Sequence, residues 1–308
     1  MSIEASGTQA ILASEAELGL VPVTNQRGMF RRALEVFVEN KLALVGLGFI
    51  VFMLLFCFIG PHIYVTNQVD TNLDNYLCTP SAQHLLGCNE LGYDELGRLM
   101  VGGQTSIEVG LAAAIVSVLV GTLYGAISGF AGGFVDAIMM RVVDAGLSLP
   151  SLMVIMILSV IFHPTPVTII FIIAVFYWFG VARLVRGETL ALRNREYVQA
   201  VRVIGGRPLR SVVKHIVPNA IGTIIVQATF AVADSILTLS VLGFLTLGVA
   251  PPNTDWGSML EGGLTYIQGG NYWWLIYPPG VAIILTCISF NFIGDALRDA
   301  FETRLQRR

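Results

Sequence analysis

Long apolar runs alternate with polar intervals along the chain, and six of the runs are candidates to cross a bilayer. They cover Leu42–Gly60, Val109–Phe130, Ala145–Phe162, Val167–Ala182, a stretch within Ala220–Ala250, and Trp274–Gly294. A helix needs about 20 apolar residues to cross the ~30 Å hydrocarbon core. The runs are continuous rather than alternating, which predicts helices and not barrel strands. Only helices and closed barrels satisfy their backbone in lipid. The fourth run is short. The fifth would reach ~45 Å as one helix, so it must tilt, break or leave the bilayer.

Composition supports this reading. The 308 residues are 55% hydrophobic and 13% charged, against about 25% charged in soluble domains. The positions of Lys and Arg then orient the runs. Four lie in the segment through Lys41, Arg98 is alone between Pro61 and Glu108, Arg141 precedes the third run, eight lie within Arg183–Lys214, and four follow the last run. Six spans with a cytoplasmic start place seventeen of the eighteen inside. Both ends are thus expected in the cytoplasm. The intervals on the other side are acidic, with Asp70, Asp74, Glu90, Asp94, Glu95, Asp255 and Glu261.

This predicts an all-α polytopic membrane protein. Residues 1–26 read as a disordered cytoplasmic tail with no signal peptide, because they contain no apolar core. Residues 27–61 hold the first span and 62–105 a large extracytoplasmic loop. The bundle fills 106–300, with a basic cytoplasmic loop at 187–218 and a tail at 301–308. The lipid bilayer is the expected surround, and no basic patch suggests a nucleic acid.

Candidate chemistry is sparse. Cys78 and Cys88 share the large outer loop, where a disulfide is permitted; two free thiols are the alternative. No metal is expected, since only His84 lies near them and the spacing fits no zinc pattern. Gly121, Gly125 and Gly129 form a small-xxx-small face, for packing within the chain or against another subunit. Asp234 lies inside the fifth run, where an ionisable group is costly and a functional candidate by default. It is expected to line a hydrated path, or else to bond Ser235, Thr238 or another subunit. Arg141 and Asp144, one turn apart, are expected to pair. There is no G-x-x-x-x-G-K-[ST] loop and no catalytic constellation, so the chain is read as a non-enzyme that binds no cofactor.

The loop from Arg193 to Pro218 carries the sharpest signal. Helix formers run to Ile204, Gly205-Gly206 permits a turn, Pro208 suits the first turn of a second helix, and Leu209, Val212, Val213 and Ile216 recur at helical spacing. A basic loop that only orients the chain against anionic lipid is the alternative. The segment resembles the EAA motif of ABC importer permeases: Gln199, Ala200 and Val201 occupy the triplet, Gly205 the glycine, and His215-Ile216-Val217-Pro218 the closing run. Only the central alanine of the triplet is kept.

Further stretches are similar to the dipeptide, oligopeptide and nickel ABC importer permeases. They are Leu91–Arg98, Gly132–Pro150, Leu242–Val249, Asp255–Leu260 and Asn291–Asp299. The chain is identified as a C-type subunit of that family. The resemblance implies a type I ABC importer permease fold, with the first span outside a five-span core, in a bacterial inner membrane. It implies a second homologous permease, two ATP-binding subunits that hold ATP and Mg, and an extracytoplasmic binding protein. Glu196, Tyr197, Gln199, Ala200, Gly205, Gly206 and Pro208 would couple to the ATP-binding subunit. Peptide is the expected substrate, with nickel or oligosaccharides as alternatives. A stand-alone secondary transporter is the rival; it would call for inverted repeats, which the chain does not display.

Overall fold

A computed structural model describes residues 29–193, 217–266 and 270–302. Within them the chain is helical. The labelled helices are α1 (Met29–Glu39), α2 (Lys41–Phe58), α3 (Glu95–Ala131), α4 (Gly133–Ser148), α5 (Ser151–Ile161), α6 (Pro166–Arg193), α7 (Ile221–Phe244), α8 (Trp256–Leu264) and α9 (Tyr277–Glu302). Five are long and apolar enough to cross a membrane, and the bent pair α4–α5 makes a sixth crossing if it is one span.

The ends of the helices follow from local chemistry. Asn40 caps α2 by accepting from the N–H groups of Leu42 and Ala43 at 3.1 and 3.2 Å. Asp94 caps α3 through the Gly97 N–H at 2.8 Å. This helix starts well ahead of the apolar run at Val109, so the loop expected to reach residue 105 ends at Asp94. Gly132 and Gly133, at φ +67° and +55°, turn the chain from α3 into α4 in a conformation costly for other residues.

The third run does not form one rod. α4 and α5 meet at an 82° bend. Pro150 has no N–H for a helical ladder, and it forces Leu149 into extended backbone at φ −84°, ψ 141°. The fifth run resolves its excess length by breaking. α7 is 24 residues long, about 36 Å. It ends in a Schellman motif: Thr246 adopts φ +62°, its N–H donates to Gly243 O at 3.0 Å, and the Leu247 N–H donates to Leu242 O at 2.8 Å.

Packing places α3 and α7 at the centre. α3 lies most extensively against α6 and also against α7, and α7 lies against α9. Ala126, Val185, Ala231 and Ile236 fill one shared core. Ile155, Ile169, Leu239 and Leu242 fill a second where α5 joins. The α3–α6 contact is close because Gly121, Gly125 and Gly129 face α6. A Cβ at Gly121 would meet Val181 Cβ at 2.6 Å, one at Gly125 would press on the Ala182 carbonyl, and one at Gly129 would meet Thr189 Cβ at 2.8 Å. α1 and α2 stand at the edge, on α9. α2 buries only a stripe of Ala43, Gly46, Met53 and Cys57 and leaves Leu42, Val45, Phe52 and Leu55 exposed, as lipid requires.

Candidate functional site

Three places hold most of the polar chemistry. The first is the end of the bundle that carries the segment from Tyr64 to Asp94. Cys78 and Cys88 are bridged there, and the Cys88 carbonyl accepts from Trp274 Nε1 at 3.3 Å. Asp94 is the hub. Besides capping α3, it accepts the Tyr64 hydroxyl at 2.8 Å and meets His84 Nδ1 at 2.9 Å. Burial, and then the Asp94 carboxylate, push the Tyr64 phenol above its ordinary value.

Across from Asp94, the α7–α8 connection folds over the start of α3. Asp255 is fully buried. It accepts the N–H groups of Gly257 and Ser258 at 2.8 and 3.1 Å, and Ser258 returns a bond to the Asp255 N–H, closing a capping box. Burial pushes the Asp255 carboxyl up to about 6, against the opposing pull of its backbone donors. Between these parts lies a cavity of about 240 Å³, lined by Glu90, Glu95, Arg98, Thr246, Ser258 and Glu261 among others. Arg98 stacks over the Tyr93 ring at 4.7 Å and reaches the Pro252 carbonyl at 3.4 Å.

The second place is midway along α7. Asp234 is exposed on the surface of the chain. Its carboxylate has no hydrogen bond or ion pair among the described residues; the bond nearby is made by Tyr177, whose hydroxyl donates to the Asp234 backbone carbonyl at 3.3 Å and pairs with Thr238 Oγ1. Neither side-chain partner expected for Asp234 is used: Ser235 is buried with no hydrogen-bond partner for its hydroxyl among the described residues, and Thr238 goes to Tyr177 on α6. Tyr177 carries no signal in the sequence, because a tyrosine in an apolar run reads as packing. Leu237 and Phe244 are exposed on the same helix, whereas Leu239 is fully buried.

The third place is the opposite end, where ion pairs tie α4 to α6. Arg186 forks onto Asp136 with both contacts at 2.6 Å, and Ser128 on α3 donates to the same carboxylate. Arg183 pairs with Asp144. The expected Arg141–Asp144 pair does not form. A one-turn pair on a single helix gains only ~0.2–0.5 kcal/mol, and Arg183 reaches the carboxylate from α6 through one N–H. Arg193 crosses to the carbonyls of Gly129 and Phe130 at 3.2 and 3.4 Å, where it satisfies carbonyls left open at the end of α3. Glu196, Tyr197, Gln199, Ala200, Gly205, Gly206 and Pro208 lie outside the described residues.

The chain was compared with known proteins. Residues 121–307 match the family described as binding-protein-dependent transport system inner membrane component. Residues 28–80 match the N-terminal TM domain of oligopeptide transport permease C. The dipeptide transport system permease protein DppC of Bacillus subtilis is 39% identical over 87% of this chain and 84% of its own length. The oligopeptide transport system permease protein OppC of the same organism is 39% identical over 91% of each chain. The DppC of Escherichia coli K12 is 41% identical over 88% of this chain and 92% of its own.

Proposed function

The chain belongs to the binding-protein-dependent transport system inner membrane component family, a multi-pass permease subunit of an ABC importer, and on that premise we propose how it works and what it carries. Its cargo is di- or oligopeptides, in keeping with the names of its relatives. It lies with both ends in the cytoplasm, in keeping with the clustering of Lys and Arg. A second homologous permease completes the path. Two ATP-binding subunits take up the segment from Glu196 to Pro208 and hydrolyse ATP with Mg, and an extracytoplasmic protein delivers the peptide. The disulfide-bearing end is the outer mouth, and ATP-driven closure at the other end alternates access.

Asp234 carries this reading. An uncompensated carboxylate on the outside of a membrane helix cannot face lipid, where a charge costs several kcal/mol or more. It must face either a partner's polar surface or water. With the exposed α7 face turned to the second permease, Asp234 stands at the seam where the peptide crosses. The test is ATP-driven peptide uptake by the reconstituted complex with Asp234→Asn. The expected outcome is intact assembly with uptake reduced about tenfold, the order expected for one charge-assisted contact. Unchanged uptake would remove Asp234 from the path.

A further inference from the structure

The cavity at the disulfide-bearing end holds a buried carboxyl in its wall. Glu95 is 2% exposed, lines the cavity, and makes no hydrogen bond or ion pair with its carboxylate among the described residues. Its neighbour Asp94 takes three nearby donors: Tyr64, His84 and the Gly97 N–H. The start of α3 offsets part of the Glu95 charge but supplies no bond. Glu90 worsens the imbalance. Its carboxylate lies over Gly262, 3.4 Å from where a Cβ would stand, and lines the same cavity. Glu261 lines the same space. Arg98 answers part of this charge, that of Glu95 first, but its guanidinium is also stacked on Tyr93 and donates to the Pro252 carbonyl.

Glu95 is buried and Glu90 and Glu261 are half-buried, so three carboxyls against one guanidinium leave the lining with an excess of acceptors, which suits a cationic donor. Their oxygens are not gathered as metal ligands are. Among the described residues, the one set of three donor atoms within 4.8 Å of one another is Cys78, His84 and Cys88, and those cysteines are bridged. Carboxylates spread around about 240 Å³ suit an organic cation with several N–H donors. A primary ammonium offers three.

We propose that this cavity is a binding site for the α-ammonium end of the incoming peptide, held by Glu95 with Glu90 and Glu261, at the outer mouth of the permease. Arg98, on the same wall, is placed for a carbonyl or carboxylate oxygen of the same peptide. That mixture of charge fits a short peptide better than a lysine from a docking protein, which brings one sign only. The assignment rests on the peptide-permease reading above.

The test uses the intact importer complex in nanodiscs with alanyl-alaninamide, whose nucleophile is its α-amine. A carbodiimide joins that amine to any carboxylate it already contacts, and mass spectrometry locates the amide. Adducts on Glu90, Glu95 or Glu261 are expected roughly tenfold above those on the exposed Asp70 and Asp74 of the same loop, an excess of the order one charge-assisted contact gives. An excess of the N-acetylated peptide amide should not compete. Adducts spread evenly over the outer acids, competition by the acetylated peptide, or a cross-link from Glu95 to a lysine of the binding protein would each overturn the assignment. Glu95→Gln keeps the shape and introduces no new charge, so the fold should hold. It should raise the KM for uptake about tenfold with little change in kcat, whereas an unchanged KM would count against the site. ATP-driven uptake by the unmodified complex, measured alongside, tests the permease reading itself and does not depend on Glu95.

Discussion

Replacing Gly125 with alanine adds one methyl where the backbones of α3 and α6 meet. The new Cβ would press on the Ala182 carbonyl oxygen and stand 3.0 Å from the Arg186 nitrogen, whereas non-bonded atoms settle at about 3.5 Å or more. The helices must therefore part by about 1 Å at that level, a gap that forfeits a quarter to a half of each dispersion contact nearby. Neighbours cannot yield by rotating a side chain, because the atoms in the way are backbone. Overpacking of this kind costs about 1–3 kcal/mol, and about 2 kcal/mol is expected here. The usual gain in helix propensity from Gly to Ala offsets little, since transmembrane segments stay helical in lipid when they separate. The assay is unfolding of the purified chain in mixed micelles as the denaturing detergent is raised. Gly48→Ala on α2 is the control, because a methyl there meets nothing within 4 Å. Gly125→Ala should unfold at a clearly lower detergent fraction than Gly48→Ala. Coincident midpoints would refute the claim that glycine is needed for the approach of α3 to α6.

Two further outcomes follow from the disulfide-bearing end. The Asp255 carboxyl titrates near 6 in the folded chain, above its ordinary 3.8, because burial disfavours its charge. Its protonated form is thus favoured by folding: that stability is complete below about pH 3.8 and is lost as pH rises through about 6. Melting temperature followed from pH 4 to pH 7 should fall with this profile, and Asp255→Asn should flatten it; an unchanged slope would assign the titration to another group. Replacing Cys78 and Cys88 with serine opens a short loop and should cost about 2–3 kcal/mol. The cost should be local, seen as faster hydrogen exchange at the Leu77 N–H, which bonds Asn89 O, and at the residue 88 N–H, which bonds Cys78 O; unaltered exchange would show that the loop holds without the bridge.

How far the sequence could be read depended on which interactions set each feature. The crossings were legible because lipid selects on length and hydropathy alone, and an apolar run states both. The bend between α4 and α5 was written as Leu149-Pro150, yet both flanks are apolar, so hydropathy ran straight through it. Asp234 was legible as an anomaly in polarity. Its exposure was not, because the outward face of α7 is set by the rotation that buries Leu239 and Ile236. The same rotation turns Leu239 inward and leaves Asp234 outward. The i, i+3 rule paired Arg141 with Asp144 on local grounds and lost to Arg183, which comes from another helix. Glu95 was the least visible. Beside the Asp94 cap it reads as a solvated first-turn acid, and it is buried only because the segments before α3 and after α7 close over it. The features that sequence pattern hides here are those created when two distant segments cover a third. The carboxyls around the Glu95 cavity are brought together that way, so the motif-bearing loop points to the family while their juxtaposition is legible only in three dimensions.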